Sequence, residues 1–153
     1  MSKWVVDTCV IIDILSGDGK YSCKSADAID MKRDDGLVIA PITYVELAPS
    51  FGGDSNNQDS TLSELGIEID FGSNRDAVMT AYKAWHDHVQ CKRAGQVAKR
   101  PIADIMIGAY AMQKGGLITR NEDDFHALFP NLTIFNPVSF DPQTEMKGNS
   151  KTQ

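Results

Sequence analysis

The sequence predicts an α/β fold: a parallel sheet of about five strands between two layers of helices, a three-layer α/β/α domain. Two observations carry that expectation. Apolar runs such as Trp4-Val5-Val6, Leu37-Val38-Ile39-Ala40 and Leu117-Ile118-Thr119 are continuous rather than alternating, as strands buried on both faces read. Between the runs lie stretches with helical spacing and polar turns, so strands and helices alternate along the chain, the pattern of a parallel sheet.

Taken in order, Trp4-Val5-Val6 is the first strand and stops at Asp7-Thr8. Cys9 to Leu15 opens a helix or makes a close turn against the sheet, and Ser16-Gly17-Asp18-Gly19-Lys20 is a turn. Residues 21–34 suit a surface helix stopped by Gly36. Leu37 to Ala40 is the second strand, ended by Pro41, and Thr43 opens a helix with Tyr44, Val45, Leu47 and Ala48 on its apolar side. The polar stretch 49–59 reads as a loop. Leu62, Leu65, Ile67, Ile69 and Phe71 lead through a short helix into a third strand. Ser73 and Asp76 have the spacing of a capping box, followed by a long helix with Ala77, Val78, Ala81, Trp85 and Val89 at core spacing. Pro101 opens the next helix, whose expected core stripe is Ile102, Ile105, Met106, Ala109 and Met112. Gly115-Gly116 closes it before the fourth strand, Leu117 to Thr119. A turn and short helix span 121–128, and Leu132 to Phe135 is the fifth strand. One domain is expected over 1–140, with a polar, disordered tail over 141–153.

The totals narrow the class. The chain has 153 residues, is 42% hydrophobic and carries a formal net charge of −6. Such a charge argues against binding nucleic acid by bulk attraction alone. It leaves room for a nuclease with a metal-compensated site, or for a partner that brings a basic segment. No apolar run has the length of a membrane span and the N-terminus lacks a signal peptide, so a cytoplasmic protein is the default expectation. Three cysteines, Cys9, Cys23 and Cys91, have no paired metal spacing and read as reduced thiols, at least two of them packed.

The chemistry-bearing feature is a set of acids at element ends. Asp7 ends the first strand; Glu46 falls in the first turn of the helix after the second; Asp104 falls in the first turn of the helix opened by Pro101; Asp123 and Asp124 follow the fourth strand. In a parallel sheet these ends share one edge, where ligands bind. Convergent carboxylates cannot all stay ionised without a cation between them, and oxygen-only ligands suit Mg²⁺ or Mn²⁺. Such an ion activates water and stabilises the leaving oxygen of a phosphodiester. Each acid also has a structural reading: Thr43 and Glu46 have capping-box spacing, Asp104 favours a helix dipole, and Asp123 or Asp124 could cap the helix near Phe125. Asp7 is hardest to explain that way, because it ends a buried strand. Asp13 reads as a solvated face or an outer acid of the site. Thr8 and Thr119 could orient carboxylates or a water. His86 and His88, two apart on a helix, read as surface. Lys92, Arg93, Lys99 and Arg100 form the basic cluster. It serves either helix ends and solubility or a phosphate. No dinucleotide or Walker loop is present.

Four segments then resemble the motifs of PIN-domain ribonucleases, in order: Val5 to Ile12, Thr43 to Leu47, Ala103 to Ala109, and Leu117 to Phe125. The match runs from about Val5 to Phe135, and the size resembles the VapC toxins of bacterial toxin–antitoxin pairs. That resemblance implies Asp7, Glu46 and Asp104 as metal-binding acids, with Asp124 as the fourth and Asp123 or Asn121 as alternatives. It also implies RNA cleavage with Mg²⁺ or Mn²⁺, a homodimer and a silencing antitoxin. Lys99, Arg100 and Arg120 are the expected phosphate contacts. The competing readings are a PIN-like module that binds RNA or protein without cutting, and another metal-dependent phosphoesterase.

Overall fold

A computed structural model of the chain describes residues 2–72, 75–92 and 101–140. Ser73, Arg93, Lys99, Arg100 and the segment 141–153, all singled out above, lie outside these residues, as do the side chains of Cys91 and Lys92. The order of elements is β1 (Trp4–Val6), α1 (Thr8–Ser16), α2 (Ser22–Lys32), β2 (Leu37–Ile39), α3 (Pro41–Glu46), α4 (Ser55–Glu64), β3 (Ile67–Ile69), α5 (Arg75–Lys92), α6 (Pro101–Met112), β4 (Gly116–Ile118), α7 (Glu122–Leu128) and β5 (Ile134–Phe135). Single 3-10 turns follow α2 and α3.

The strands form one parallel sheet in the order β3-β2-β1-β4-β5. Successive strand residues feed opposite faces, which explains the continuous apolar runs. Val6, Leu37, Ile39 and Ile118 pack with Val10 and Ile11 of α1, Ile29 of α2 and Leu62 of α4. Val5, Val38 and Leu117 pack on the other face with Ile107 and Tyr110 of α6, Phe125 of α7 and Phe129. The chain winds outward from β1 to β3 and returns to place β4 on the other side of β1. The direction of winding therefore reverses between β1 and β4, and a crevice at the carboxyl ends of those two strands is the expected ligand position.

Several local expectations are corrected. The stretch 49–59 is not a loop: Pro49 lies in the 3-10 turn Ala48–Phe51, and Asp54 caps α4 by accepting from the Asn57 N–H at 3.1 Å. Its polar composition reflects a helix exposed over its first turn. α3 starts at Pro41, not Thr43, because the missing N–H of proline costs nothing at a first helical position. Along α6 the buried residues are Ile105, Ile107, Gly108, Ala109, Tyr110 and Ala111, while Ile102, Met106 and Met112 are exposed. This helix is wrapped on several sides, so no single stripe describes its core. On α5, Val78 and Trp85 are exposed and Ala81 and Ala84 make the packing contact. His88 is buried rather than on the surface, with its ring stacked on Trp85 at 5.8 Å. Of the cysteines, Cys9 is partly buried and packed against the core, whereas Cys23 is exposed.

β4 begins at Gly116, with φ +154°. A Cβ there would stand 2.7 Å from the Thr133 carbonyl oxygen and 2.6 Å from the Trp4 ring. The carbonyl is backbone of the incoming chain to β5 and cannot swing aside. Gly116→Ala is expected to destabilise the fold by about 1–3 kcal/mol, read as a lowered midpoint in urea with unchanged slope.

Candidate active site

The site starts from Asp7. Its amide donates to the Ile118 carbonyl at 3.0 Å, the last sheet bond before β1 gives way to α1. Asp7 is the N-cap of α1, with Oδ1 accepting from the Thr8 N–H at 2.7 Å. Short acceptor side chains suit that position because the first helical N–H groups lack partners. Its other oxygen, Oδ2, accepts from the Thr119 hydroxyl at 2.7 Å. Thr119 directly follows β4, so the two strands flanking the switch point are joined at their ends by this bond. Asp7 is only 4% exposed, and Thr119 fully buried.

Thr8 carries the connection to the next element. Its hydroxyl lies 2.9 Å from Glu46 Oε1, to which it donates, and 3.1 Å from the buried Thr43 hydroxyl. Glu46 is the last residue of α3, not part of its first turn, and Ala40 takes the N-cap position. The capping-box reading of Thr43 and Glu46 therefore fails, and both side chains turn to Thr8 instead. α3 is held from α4: Gln58, itself buried, donates through Nε2 to the Tyr44 carbonyl at 2.8 Å, and the Tyr44 hydroxyl donates to Asp59 at 2.6 Å.

The remaining acids come from two helix starts. Asp104 sits half-buried in the first turn of α6. Asp123 and Asp124 sit exposed in the first turn of α7. Asn121 is the N-cap of α7 without a side-chain cap bond, and its N–H donates to the Thr119 hydroxyl at 3.0 Å. Thr119 thus accepts from the α7 entry and donates to Asp7. Cys9 also faces the site: its Sγ donates to Asp7 Oδ2 at 3.3 Å. Burial, and then the Asp7 charge, push its thiol up to about 12, so it stays neutral near pH 7.

Two expected site residues have other engagements. Arg120 is not a free cation: Nε and Nη2 donate to the two Asp13 oxygens at 2.6 and 3.0 Å. Asp13, in turn, is not a solvated acid but 5% exposed, with a third bond from the Ser25 hydroxyl at 3.1 Å. Its place in the run Val10 to Leu15, three residues after buried Val10, was the available signal for burial. Thr43 and Gln58 were missed for a different reason: their partners lie on other elements. Asp70, a further acid at a strand end, is taken up by the Tyr110 hydroxyl at 2.7 Å, and that bond lowers its carboxyl below the usual range.

Asp7, Glu46, Asp104 and Asp124 offer only carboxylate oxygens, the donors that hard divalent cations take. Among the described residues, which include these four acids, no group of three or more His, Cys, Asp or Glu side chains is placed so that it could hold a metal ion.

The PIN domain family matches residues 4–128. The chain belongs to the PIN domain family, whose members are nucleases. It is similar to VapBC2 from Rickettsia felis, solved bound to a DNA fragment from their promoter. The TM-score is 0.63 and the identity 17%, over 88% of this chain and 98% of that one. It is also similar to VapBC-1 from nontypeable Haemophilus influenzae, with TM-score 0.64 and 19% identity over 90% of this chain and 99% of that one. At 17% and 19% identity these similarities speak to the fold. No curated protein sequence matches the chain. No helix among the described residues is long and apolar enough to cross a membrane.

Thr8 links Asp7, just after β1, to Glu46 of α3, which yields a direct test. Thr8→Val keeps the side-chain shape and removes the shared hydroxyl. It is expected to cost about 1–2 kcal/mol, measured by urea unfolding.

Proposed function

We propose that the protein is a metal-dependent endoribonuclease, the toxin of a toxin–antitoxin pair, hydrolysing RNA phosphodiester bonds with Mg²⁺ or Mn²⁺. The observation that carries the reading is the Asp7–Thr8–Glu46 bridge at the carboxyl edge of the sheet, beside the β1–β4 switch point. Membership of a nuclease family supports it, and so does the fold shared with two VapBC proteins. In this reading Asp7 and Asp104 bind the metal directly, and Glu46 and Asp124 bind it directly or through water. Asp123 and Asn121 are the alternatives to Asp124. When bound, the ion supplies a polarised water and a counter-charge for the scissile phosphate. The chain's part is to orient the carboxylates: Thr8 and Thr119 fix both Asp7 oxygens, and Thr8 fixes one oxygen of Glu46. Lys99 and Arg100 are the proposed phosphate contacts.

The partners follow from the same reading. A cognate antitoxin would silence the site, and the net charge of −6 favours one with a basic segment. The cytoplasm, where RNA is available, is the proposed location. A homodimer is supported by an apolar surface where α5 and α6 meet. Phe71, Val78, Tyr82 and Ile102 are each at least half exposed. Beside them is a cavity of about 280 Å³ lined by Pro41, Phe71, Val78 and Met106 among others. Exposed apolar surface of this kind marks interfaces.

Purified protein incubated with mixed RNA should cut it with Mg²⁺ or Mn²⁺ and stop with EDTA. Asp7→Asn, which removes charge but little volume, should lower cleavage by more than about 100-fold while leaving the thermal midpoint near wild type. Full metal-dependent activity in Asp7→Asn would refute the mechanism. Metal-dependent cutting of matched DNA but not RNA would select the broader phosphoesterase reading, and Asp7-independent RNA binding without cutting would select a binding module. In a separate experiment, Val78→Asp is expected to convert the dimer to monomer in sedimentation velocity; an unchanged sedimentation coefficient would place self-association elsewhere.

A further inference from the structure

α1 is tied to the end of β4 at two points by consecutive residues. At its N-terminus Asp7 receives the Thr119 hydroxyl at 2.7 Å. Further along the same helix Asp13 receives both arms of Arg120, at 2.6 and 3.0 Å. The pair is largely withdrawn from water: the Arg120 side chain is 23% exposed and that of Asp13 7%. Ser25 adds a third bond to Asp13 from α2, and the Tyr21 ring covers the guanidinium with its centroid 4.0 Å away. One edge of the Arg120 guanidinium, Nε with Nη2, and one of its faces are therefore committed within the protein.

We infer that Asp13 and Arg120 form a positioning unit: their buried two-pronged pair sets the β4–α7 junction against α1, and thereby aims the Thr119 hydroxyl at the Asp7 carboxylate. The planar fork matters here beyond its charge, because two parallel bonds fix an orientation that a single ammonium contact leaves free. Neighbouring residues along the backbone make the coupling short: a rotation that frees Arg120 moves the carbon chain that carries Thr119. Asn121 reports on the same junction, since its N–H is bonded to the Thr119 hydroxyl. The effect on catalysis rests on the nuclease reading; the effect on Thr119 and Asp7 does not.

The test compares wild type with Arg120→Lys and Arg120→Met in two measurements. The first is amide hydrogen exchange at Asn121 and Thr8, whose N–H groups are bonded to Thr119 and Asp7. The Leu117 amide, bonded to the Thr133 carbonyl inside the sheet, is the control. Exchange at Asn121 and Thr8 should accelerate about tenfold in both variants relative to Leu117. The second is Mn²⁺-dependent cleavage of mixed RNA. In both variants kcat should fall about 10-fold or more, with KM and its salt dependence unchanged. If Arg120→Met does not fold, Asp13→Asn combined with Arg120→Gln removes both charges together and avoids a stranded buried ion; the same two results are expected. Unchanged exchange at Asn121 and Thr8 overturns the proposal, and so does a raised KM that Arg120→Lys restores, the result of a phosphate contact. Should wild type cut no RNA, the nuclease reading fails while the exchange result still decides the role of the pair.

Discussion

The structure depends on satisfying one carboxylate in a place with almost no water. Asp7 ends a strand that is buried on both faces, and burial disfavours the charged form. Three donors offset that cost: the Thr8 amide, the Thr119 hydroxyl and, more weakly, the Cys9 thiol. Each belongs to an element whose position the bond then constrains. The Thr8 amide requires α1 to start at once after β1. Thr119 requires β4 to lie beside β1 and to end level with it. The sheet order and the α1 start are thus both written around this residue.

The same economy extends outward. Thr8 uses its amide for Asp7 and its hydroxyl for Glu46, so one small side chain joins acids that are distant in sequence. Glu46 stands at the end of a helix too short to hold itself, and α4 supplies what is lacking. Gln58 satisfies a carbonyl of α3 that has no helical partner, and Tyr44 reaches across to Asp59. Unpaired carbonyls at a helix end are costly when water is excluded, and a buried amide side chain is a sufficient remedy. Isolated helices of this length are not stable in water, so α3 exists because it is packed and bonded.

Part of the charge near the carboxyl edge of the sheet is committed to a pair within the protein. The acids lie at the carboxyl edge, and Arg120, the cation nearest to it in sequence, is spent on Asp13. A largely buried two-pronged pair of this kind tolerates neither partner alone, because removing one strands the other. It serves orientation better than attraction.

Sequence by itself determined the layers and the strands. Continuous apolar runs mean burial on two faces, and alternation with helices means parallel pairing; both follow from local periodicity, which needs no tertiary information. It also determined that Asp7 is special, since a carboxylate at the end of such a run has no surface to escape to. Tertiary structure alone decided the partners. The sequence shows Thr43 and Glu46 at capping-box spacing, yet the helix begins at Pro41 and both side chains turn to Thr8. It shows Asp13 on a helix and Arg120 after a strand, and only the fold brings them into contact. The physical reason is that a hydrogen bond or ion pair between elements depends on their separation in space, whereas composition and periodicity report only which face of each element is dry.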